Sequence, residues 1–255
     1  MDRERFYSTM NGQGDLDYEI YLNTQRLLSC QKGYGELVNA DELQFQIVHQ
    51  SAELWLKLVG YTLLDVDDYM AQQNTNRVLT MLGRVHKVMR LLNDHFEILE
   101  TMSPKEYQQI RVHLGNGSGQ ESPGFRTLLD MVAPLWQTYT RSYLESAGLT
   151  VEAVYDSRYD HGDAYVVAEA LIEYDELFHK FRHHHIALIR RSIGIHAHSL
   201  TGRSVTILEE GLSAPFFPEL WAIRSQMTDN WGASHGLVRE AIGCPVAGHG
   251  GERGR

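Results

Sequence analysis

The chain has 255 residues, of which 43% are hydrophobic, and its 23 basic and 33 acidic residues give a formal net charge of −10. This length suits one large domain or two small ones, and the lack of a linker rich in proline, glycine or serine favours one. An acidic chain lacks the positive field that sequence-independent nucleic-acid binding requires, so DNA and RNA are excluded as partners.

The cysteine content and the first residues indicate a cytoplasmic protein. Cys30 and Cys244 lie far apart in sequence and form neither a disulfide framework nor a zinc motif, which is typical of a reducing compartment. The charged residues 1–5 have no apolar run behind them, so we expect no signal peptide. No apolar window approaches the ~18 uncharged residues of a membrane-spanning helix, and we expect no membrane contact.

The first predicted helix spans about residues 15–31 and carries two tyrosines. Tyr18 and Tyr21 are three residues apart, so both rings occupy one face of this helix. Packing between amphipathic helices is the commoner role of such a pair, and contact with a ligand is the alternative. Gly33 and Gly35 then end the helix.

A long second helix is predicted for residues 41–70, with Asn39 or Asp41 as its N-cap. His49 borders its apolar stripe, and Glu53 follows one turn later on the same side. Such a pair can supply two metal ligands, a histidine oriented by a carboxylate, or an ordinary surface pair. The residues of the stripe recur with a period of 3.6 and are Phe45, Ala52, Leu56, Val59 and Leu63.

After a third helical stretch, Ser103 and Pro104 start a fourth helix, with Ser103 as the N-cap. Tyr107 and Arg111, four residues apart, share a face of it. The glycine-rich loop at 114–124 follows, but it lacks the Lys-Ser/Thr pair of a phosphate-binding loop and no strand precedes it. Arg111 is instead a candidate clamp for a carboxylate, because its planar fork matches that group.

Three consecutive histidines lie in a long helix predicted for residues 164–193, which Gly194 ends. Successive helical residues are about 100° apart, so only one of the three can face a given partner. The apolar spacing puts His185 in the buried stripe, His184 on its flank and His183 on the far side. His185 is then either a satisfied core histidine or an axial ligand to haem iron or another metal.

No segment has a sustained period of two, so the sequence predicts an all-α fold without internal repeats. We expect a helix over 125–146 with a kink or break at Pro134, a connecting segment over 148–162, and a turn into a last helix at 215–221. Residues 1–243 are predicted to form one domain. The tail, residues 244–255, is rich in glycine and charge and is predicted to be disordered.

Several of these segments, in this order, resemble the tryptophan 2,3-dioxygenase family, whose haem enzymes open the indole ring. They are residues 17–31 (with Asp-Tyr-Glu-Ile-Tyr-Leu), 41–57 (with Val-His-Gln and Glu-Leu-Trp-Leu-Lys), 102–115 (with Met-Ser-Pro), 181–194 (with Phe-Arg-His-His-His) and 216–224 (with Phe-Phe-Pro-Glu-Leu-Trp). The resemblance extends over roughly residues 15–227. It implies a single-domain helical bundle around haem b, dioxygen as co-substrate, and a homotetramer or homodimer.

The resemblance also implies a role for each matching residue. It makes His185 the proximal haem ligand, with Phe181 beside the cofactor, and His49 the distal histidine near the indole N–H. Phe45 would line the indole pocket, and Arg111 would pair with the carboxylate of the amino acid. The remaining implied substrate contacts are Tyr18 and Tyr21 from a neighbouring subunit, Tyr107, and Ser199.

One residue and one loop depart from the family's pattern. Phe181 stands where the family usually has tryptophan, and His-Ser-Leu-Thr-Gly at 198–202 stands where it has Gly-Thr-Gly-Gly-Ser. Leu200 and Thr201 carry Cβ atoms, which restrict the backbone and occupy space near the amino-acid end of the substrate.

The sequence therefore predicts a haem-dependent oxygenase that cleaves the C2–C3 bond of L-tryptophan or a substituted tryptophan to an N-formylkynurenine. A haem monooxygenase of secondary metabolism, which converts a tryptophan derivative to a 2-oxindole, is the alternative. Less favoured are a tyrosine hydroxylase and a non-catalytic helical protein that binds haem or another metal. A non-haem metal would use Glu53 and the histidines clustered at 49, 183–185, 196 and 198 as ligands.

Overall fold

The computed structural model describes residues 2–12, 14–115, 117, 119–156, 160–195 and 214–234. These residues form helices and no strand, so the predicted all-α class is confirmed for this part of the chain. Ser199 and the predicted tail at 244–255 lie outside the described residues. No helix within them is long and apolar enough to cross a bilayer.

The helices are numbered here in chain order. They are α1 (Arg3–Met10), α2 (Asp17–Leu22), α3 (Thr24–Leu28), α4 (Glu42–Ala71), α5 (Thr75–Leu99), α6 (Pro104–Leu114), α7 (Pro123–Tyr139), α8 (Val151–Tyr155), α9 (Asp163–Ile193) and α10 (Pro218–Ser234).

The core lies between the long helices α4, α5 and α9, with α7 packed against α4. Each long helix turns its apolar stripe inward: Leu63 of α4, Leu82 of α5 and Leu171 of α9 are completely inaccessible to solvent. A short turn joins α4 to α5, and the side chain of Asn74 caps α5 by accepting from the Arg77 backbone N–H. Such a short connection makes the two helices antiparallel neighbours.

The N-terminal region differs from the predicted helix over 15–31. It forms two short helices, α2 and α3, because Asn23 adopts a left-handed conformation with φ of 53° between them. Asparagine tolerates that conformation better than most residues, since its short polar side chain bonds locally. Neither helix contains a buried residue, so both lie on the surface of the folded chain.

The middle of the chain remains helical past Pro134, where a kink or break was predicted. Helix α7 continues to Tyr139, and a π-helical turn, Thr140–Leu144, and a 3₁₀ turn, Glu145–Ala147, follow it. The segment predicted as a connection at 148–162 contains the short helix α8. A helix of one or two turns is too short for hydrophobic periodicity to reveal.

A buried carboxylate fixes α10 to α9. Asp175 is 0% exposed, and its Oδ2 accepts from the backbone N–H groups of Phe216 and Phe217, at 2.9 and 3.2 Å, and from Trp221 Nε1 at 2.8 Å. Because Pro218 is the first helical residue, Asp175 caps the start of α10 from another helix. This contact explains why the Phe-Phe-Pro-Glu-Leu-Trp segment is held against the core.

Candidate active site

A cavity of about 300 Å³ lies between α4, α5, α9 and the start of α7. Its walls are mainly apolar, with a few polar side chains among them, which is typical of a cofactor or substrate site. The apolar side chains of its lining are Val48, Ala52, Leu56, Leu92, Phe96, Leu99, Phe125, Leu129, Phe181 and Ile186. The polar ones are His49, Glu53, His95, Ser122, Arg182 and His185.

The three consecutive histidines of α9 have three different surroundings. His185 lines the cavity, the Nε2 of His184 lies 2.9 Å from Glu100 Oε1, and His183 is exposed to solvent. This distribution follows from the spacing of about 100° between successive helical residues. Of the three consecutive histidines, His185 is therefore the one that can contact a ligand in the cavity.

His185 is neutral in the folded protein. Burial, and to a smaller extent the nearby His49, lower the pKa of His185 to about 4. Phe96 stacks on the imidazole with ring centroids 5.7 Å apart and an interplanar angle of 14°. A neutral imidazole held against an aromatic ring has a nitrogen lone pair that can bind a metal.

His49 has a defined tautomer. Its Nδ1 lies 2.7 Å from the carbonyl oxygen of Phe45, which can only accept, so Nδ1 carries the proton and Nε2 is an acceptor. The residue is accessible to solvent, yet the surrounding protein lowers the pKa of His49 through partial desolvation of the ring. The Phe45 ring is also close, with centroids 4.1 Å apart.

Glu53 does not orient His49 through a hydrogen bond to Nδ1. Its Oε2 accepts from the backbone N–H of Gly124 at 3.1 Å, at the start of α7, although its charge does raise the pKa of His49. A Cβ at Gly124 would lie only 2.6 Å from Leu56 Cβ, so a glycine is needed where α7 approaches α4.

Among the described residues, no group of three histidine, cysteine, aspartate or glutamate side chains is arranged to hold a metal ion.

Helix α6 brings two further predicted residues close to Phe45. The rings of Phe45 and Tyr107 have centroids 6.3 Å apart. Arg111 lies one turn after Tyr107, and its charge partly offsets the effect of burial, which raises the pKa of Tyr107. The structure thus places Phe45 between His49 and Tyr107, with Arg111 near Tyr107, although Phe45, Tyr107 and Arg111 do not belong to the cavity lining.

Two other predicted substrate contacts, Tyr18 and Tyr21, do not line the cavity. Tyr18 and Tyr21 lie on α2 with exposed fractions of 70% and 88%. Ser199 falls outside the described residues. Phe181, in contrast, lines the cavity and packs on Phe96, with ring centroids 5.0 Å apart.

Sequence reasoning did not identify His95 and Arg182, which also line the cavity. The Nδ1 of His95 is buried without a hydrogen-bond partner. Both residues follow the spacing of the apolar stripes: His95 is three residues after Leu92, and Arg182 is three before His185. The helical spacing could therefore have predicted that both side chains face the cavity.

Residues 7–146, more than half of the chain, match the sequence model of the family described as tryptophan 2,3-dioxygenase. The chain belongs to the tryptophan 2,3-dioxygenase family. The resemblance drawn from the sequence and the prediction of an oxidoreductase of this family are confirmed.

Similar proteins of the tryptophan 2,3-dioxygenase family align over most of the chain. The tryptophan 2,3-dioxygenase of Erythrobacter litoralis is 30% identical over 260 residues, which cover 83% of this chain and 98% of the relative. That of Saccharopolyspora erythraea is 28% identical, covering 84% and 93%, and that of Serratia proteamaculans is 26% identical, covering 83% and 93%. These identities make the chain a divergent member of the family.

Proposed function

We propose that this protein is a haem-dependent oxygenase that inserts oxygen from dioxygen into the indole ring of L-tryptophan or a substituted tryptophan. The product is an N-formylkynurenine, formed by cleavage of the C2–C3 bond. The observation that carries the proposal is the pair His49 and His185, which line one apolar cavity in a chain related to tryptophan 2,3-dioxygenases.

The residues of the cavity fit haem b by their chemistry. His185 offers a neutral imidazole, and aromatic side chains from α5, α7 and α9 supply apolar walls for a flat macrocycle. At Gly119 a Cβ would lie 3.0 Å from His185 Cε1 and 3.4 Å from Nε2, so glycine keeps a side chain away from the coordinating edge of the ring, and the backbone of this turn has to move outward when a metal binds there. His185 would hold the iron, with Phe181 beside the macrocycle.

Bound haem would supply the activation of dioxygen, and the side chains of the chain provide orientation and a dry, apolar setting. His49 suits the indole because its Nε2 is an acceptor and the indole N–H is a donor. The bond from Nδ1–H to Phe45 holds this tautomer, and the lowered pKa keeps the ring neutral. His49 therefore fixes the position of the indole N–H without acting as a strong base.

Tyr107 and Arg111 of α6, next to Phe45 of α4, suit the amino-acid end of the substrate. Phe45 and Tyr107 form an aromatic surface, and Arg111 lies one helical turn beyond it. A guanidinium can bind a carboxylate through two parallel hydrogen bonds, and partial burial strengthens that pair. We assign the substrate carboxylate to Arg111 on this basis, with Ser199 as a further polar contact.

Exposed apolar residues on the N-terminal helices support a homo-oligomer, a tetramer or a dimer. Tyr18 and Tyr21 would then contact the substrate of a neighbouring subunit. The accompanying side chains, all more than 40% exposed, are Phe6, Met10, Leu16, Ile20 and Leu22. A surface with this many apolar side chains is typical of a protein contact.

A monooxygenase that converts a tryptophan derivative to a 2-oxindole is the second candidate. Leu200 and Thr201, where the family has glycines, favour it, because a bulkier loop changes the space at the amino-acid end. The test is the product mass from haem-loaded, reduced protein with L-tryptophan and isotopically labelled dioxygen. Two labelled atoms in a ring-opened product support the dioxygenase, and one labelled atom supports the monooxygenase.

Absence of a product from L-tryptophan would direct the same assay to β-substituted tryptophans and then to tyrosine. Purified protein that carries iron or zinc but has no Soret band would contradict the haem proposal altogether.

A further inference from the structure

The cavity that holds His185 has an uneven distribution of charge. Among the described residues of its lining, the permanently charged side chains are Glu53 on α4 and Arg182 on α9. Glu53 is already engaged, since its carboxylate accepts from the Gly124 N–H at 3.1 Å. An anionic ligand is therefore repelled from the Glu53 wall and attracted to the Arg182 wall.

The guanidinium of Arg182 is only weakly compensated. The side chain is half-buried, and its Nη1 donates to the carbonyl oxygen of Ala214 over 3.4 Å, a long hydrogen bond. No carboxylate of the described residues forms an ion pair with it. Burial lowers the pKa of Arg182, and the opposing charge of Asp175 does not fully offset this. A partly desolvated cation in a cavity wall calls for an anionic partner.

Arg182 also has a fixed relation to His185. The two residues are three apart in α9, so they share one face of the helix and both line the cavity. A ligand bonded to the imidazole of His185 therefore passes close to the guanidinium. Haem has an apolar body and two propionate carboxylates on one edge, a combination that matches the aromatic walls and this single cation.

We propose that Arg182 binds a propionate carboxylate of haem and so fixes the orientation of the cofactor, with its anionic edge on the α9 side of the cavity and away from Glu53. This assignment rests on the proposed function. It makes Arg182 a positioning residue for the cofactor. The two arginines then bind different carboxylates, because Arg111 is assigned to the carboxylate of the substrate.

The experiment compares haem with haem dimethyl ester, in which both propionates are neutral, by Soret titration of the apoprotein. We expect the wild-type protein to prefer haem by about tenfold, the effect of one charge-assisted hydrogen bond. Arg182→Gln should lose most of that preference by weakening haem binding while leaving ester binding unchanged. Arg182→Lys should retain part of it, because it keeps the charge but not the fork.

Arg126→Gln is the matched control, because Arg126 is exposed on α7 and does not line the cavity. It should behave as wild type. Equal weakening of haem and ester binding by Arg182→Gln would indicate a purely structural role and overturn the proposal. The proposal would also be overturned if Arg182→Gln kept the wild-type preference for haem over the ester but had a raised KM for tryptophan. That result would assign Arg182 to substrate binding. Failure of the wild-type protein to bind either compound would instead refute the proposed haem function itself.

Discussion

His49 donates its Nδ1 proton to the carbonyl oxygen of Phe45, one turn earlier in α4, over 2.7 Å. This hydrogen bond uses the only N–H group of the neutral imidazole, so Nε2 remains an acceptor. Protonation of Nε2 would remove that acceptor, and the working pH range of the site therefore depends on the pKa of His49.

The pKa of His49 predicts the acid limb of the pH profile. Burial lowers this pKa below its ordinary value of 6.5, and the charge of Glu53 opposes the shift. The neutral ring thus persists below pH 6.5, and kcat/KM should fall only at lower pH. Glu53→Gln keeps an oxygen for the Gly124 N–H but loses the charge, so the acid limb should move to still lower pH. An NMR titration of the His49 ring checks the assignment, and Glu97→Gln, an exposed change, is the control.

The proposed role of His185 as haem ligand predicts the effects of two alanine variants. His185→Ala should abolish the Soret band of the reconstituted protein, because the neutral imidazole in the cavity is lost. His183→Ala should retain it, since His183 is exposed on the other side of α9. Loss of haem from the His183 variant, with retention by the His185 variant, would show that another histidine holds the iron.

Haem binding to His185 should change the turn Gly119–Glu121. The position of a Cβ at Gly119, 3.4 Å from Nε2, shows that the turn lies against the coordinating edge of the imidazole. A metal at this nitrogen therefore requires the turn to stand farther away. We expect faster hydrogen exchange of the Ser122 amide, which donates to the Gly119 carbonyl at 3.2 Å, when haem is added. The amide of Val85 in the core should not change.

Two glycine-to-alanine changes should have opposite effects on stability. Gly124→Ala places a methyl group 2.6 Å from Leu56 Cβ and 2.9 Å from Glu53 Oε2, so α7 must move away from α4. Overpacking of this kind costs about 1–3 kcal/mol. Gly83→Ala in α5 meets nothing within 4 Å and should stabilise the helix by about 0.5–1 kcal/mol. Urea unfolding of both variants gives the two free energies; destabilisation by both would contradict the packing argument.

Removal of the Asp175 carboxylate should release α10 from α9. Asp175→Ala leaves two buried backbone N–H groups and the Trp221 indole N–H without their acceptor, which should cost about 3 kcal/mol or more. Asp175→Asn retains one oxygen and should cost less. Trp221 fluorescence during urea unfolding reports the loss directly. Asp130→Ala, at an exposed position on α7, should leave stability within about 0.5 kcal/mol.

The sequence determined the features that depend on spacing within one helix. The period of 3.6 predicted α4, α5 and α9, and the step of about 100° between neighbours predicted that His185, rather than His183 or His184, faces inward. Ser103 was likewise predicted as the cap of α6, and its Oγ accepts from the Glu106 N–H. Such features are local, because the backbone geometry of a helix fixes the relative direction of its side chains.

Only the tertiary structure decided which side chains meet across helices. Glu53 follows His49 by one turn, yet it bonds the backbone of Gly124, 71 residues away in sequence. The entry of Arg182 and His95 into one cavity depends on how α5 and α9 pack together. The physical reason is that a helical period specifies which face is buried but not the partner that buries it; the partner follows from the mutual packing of all the helices.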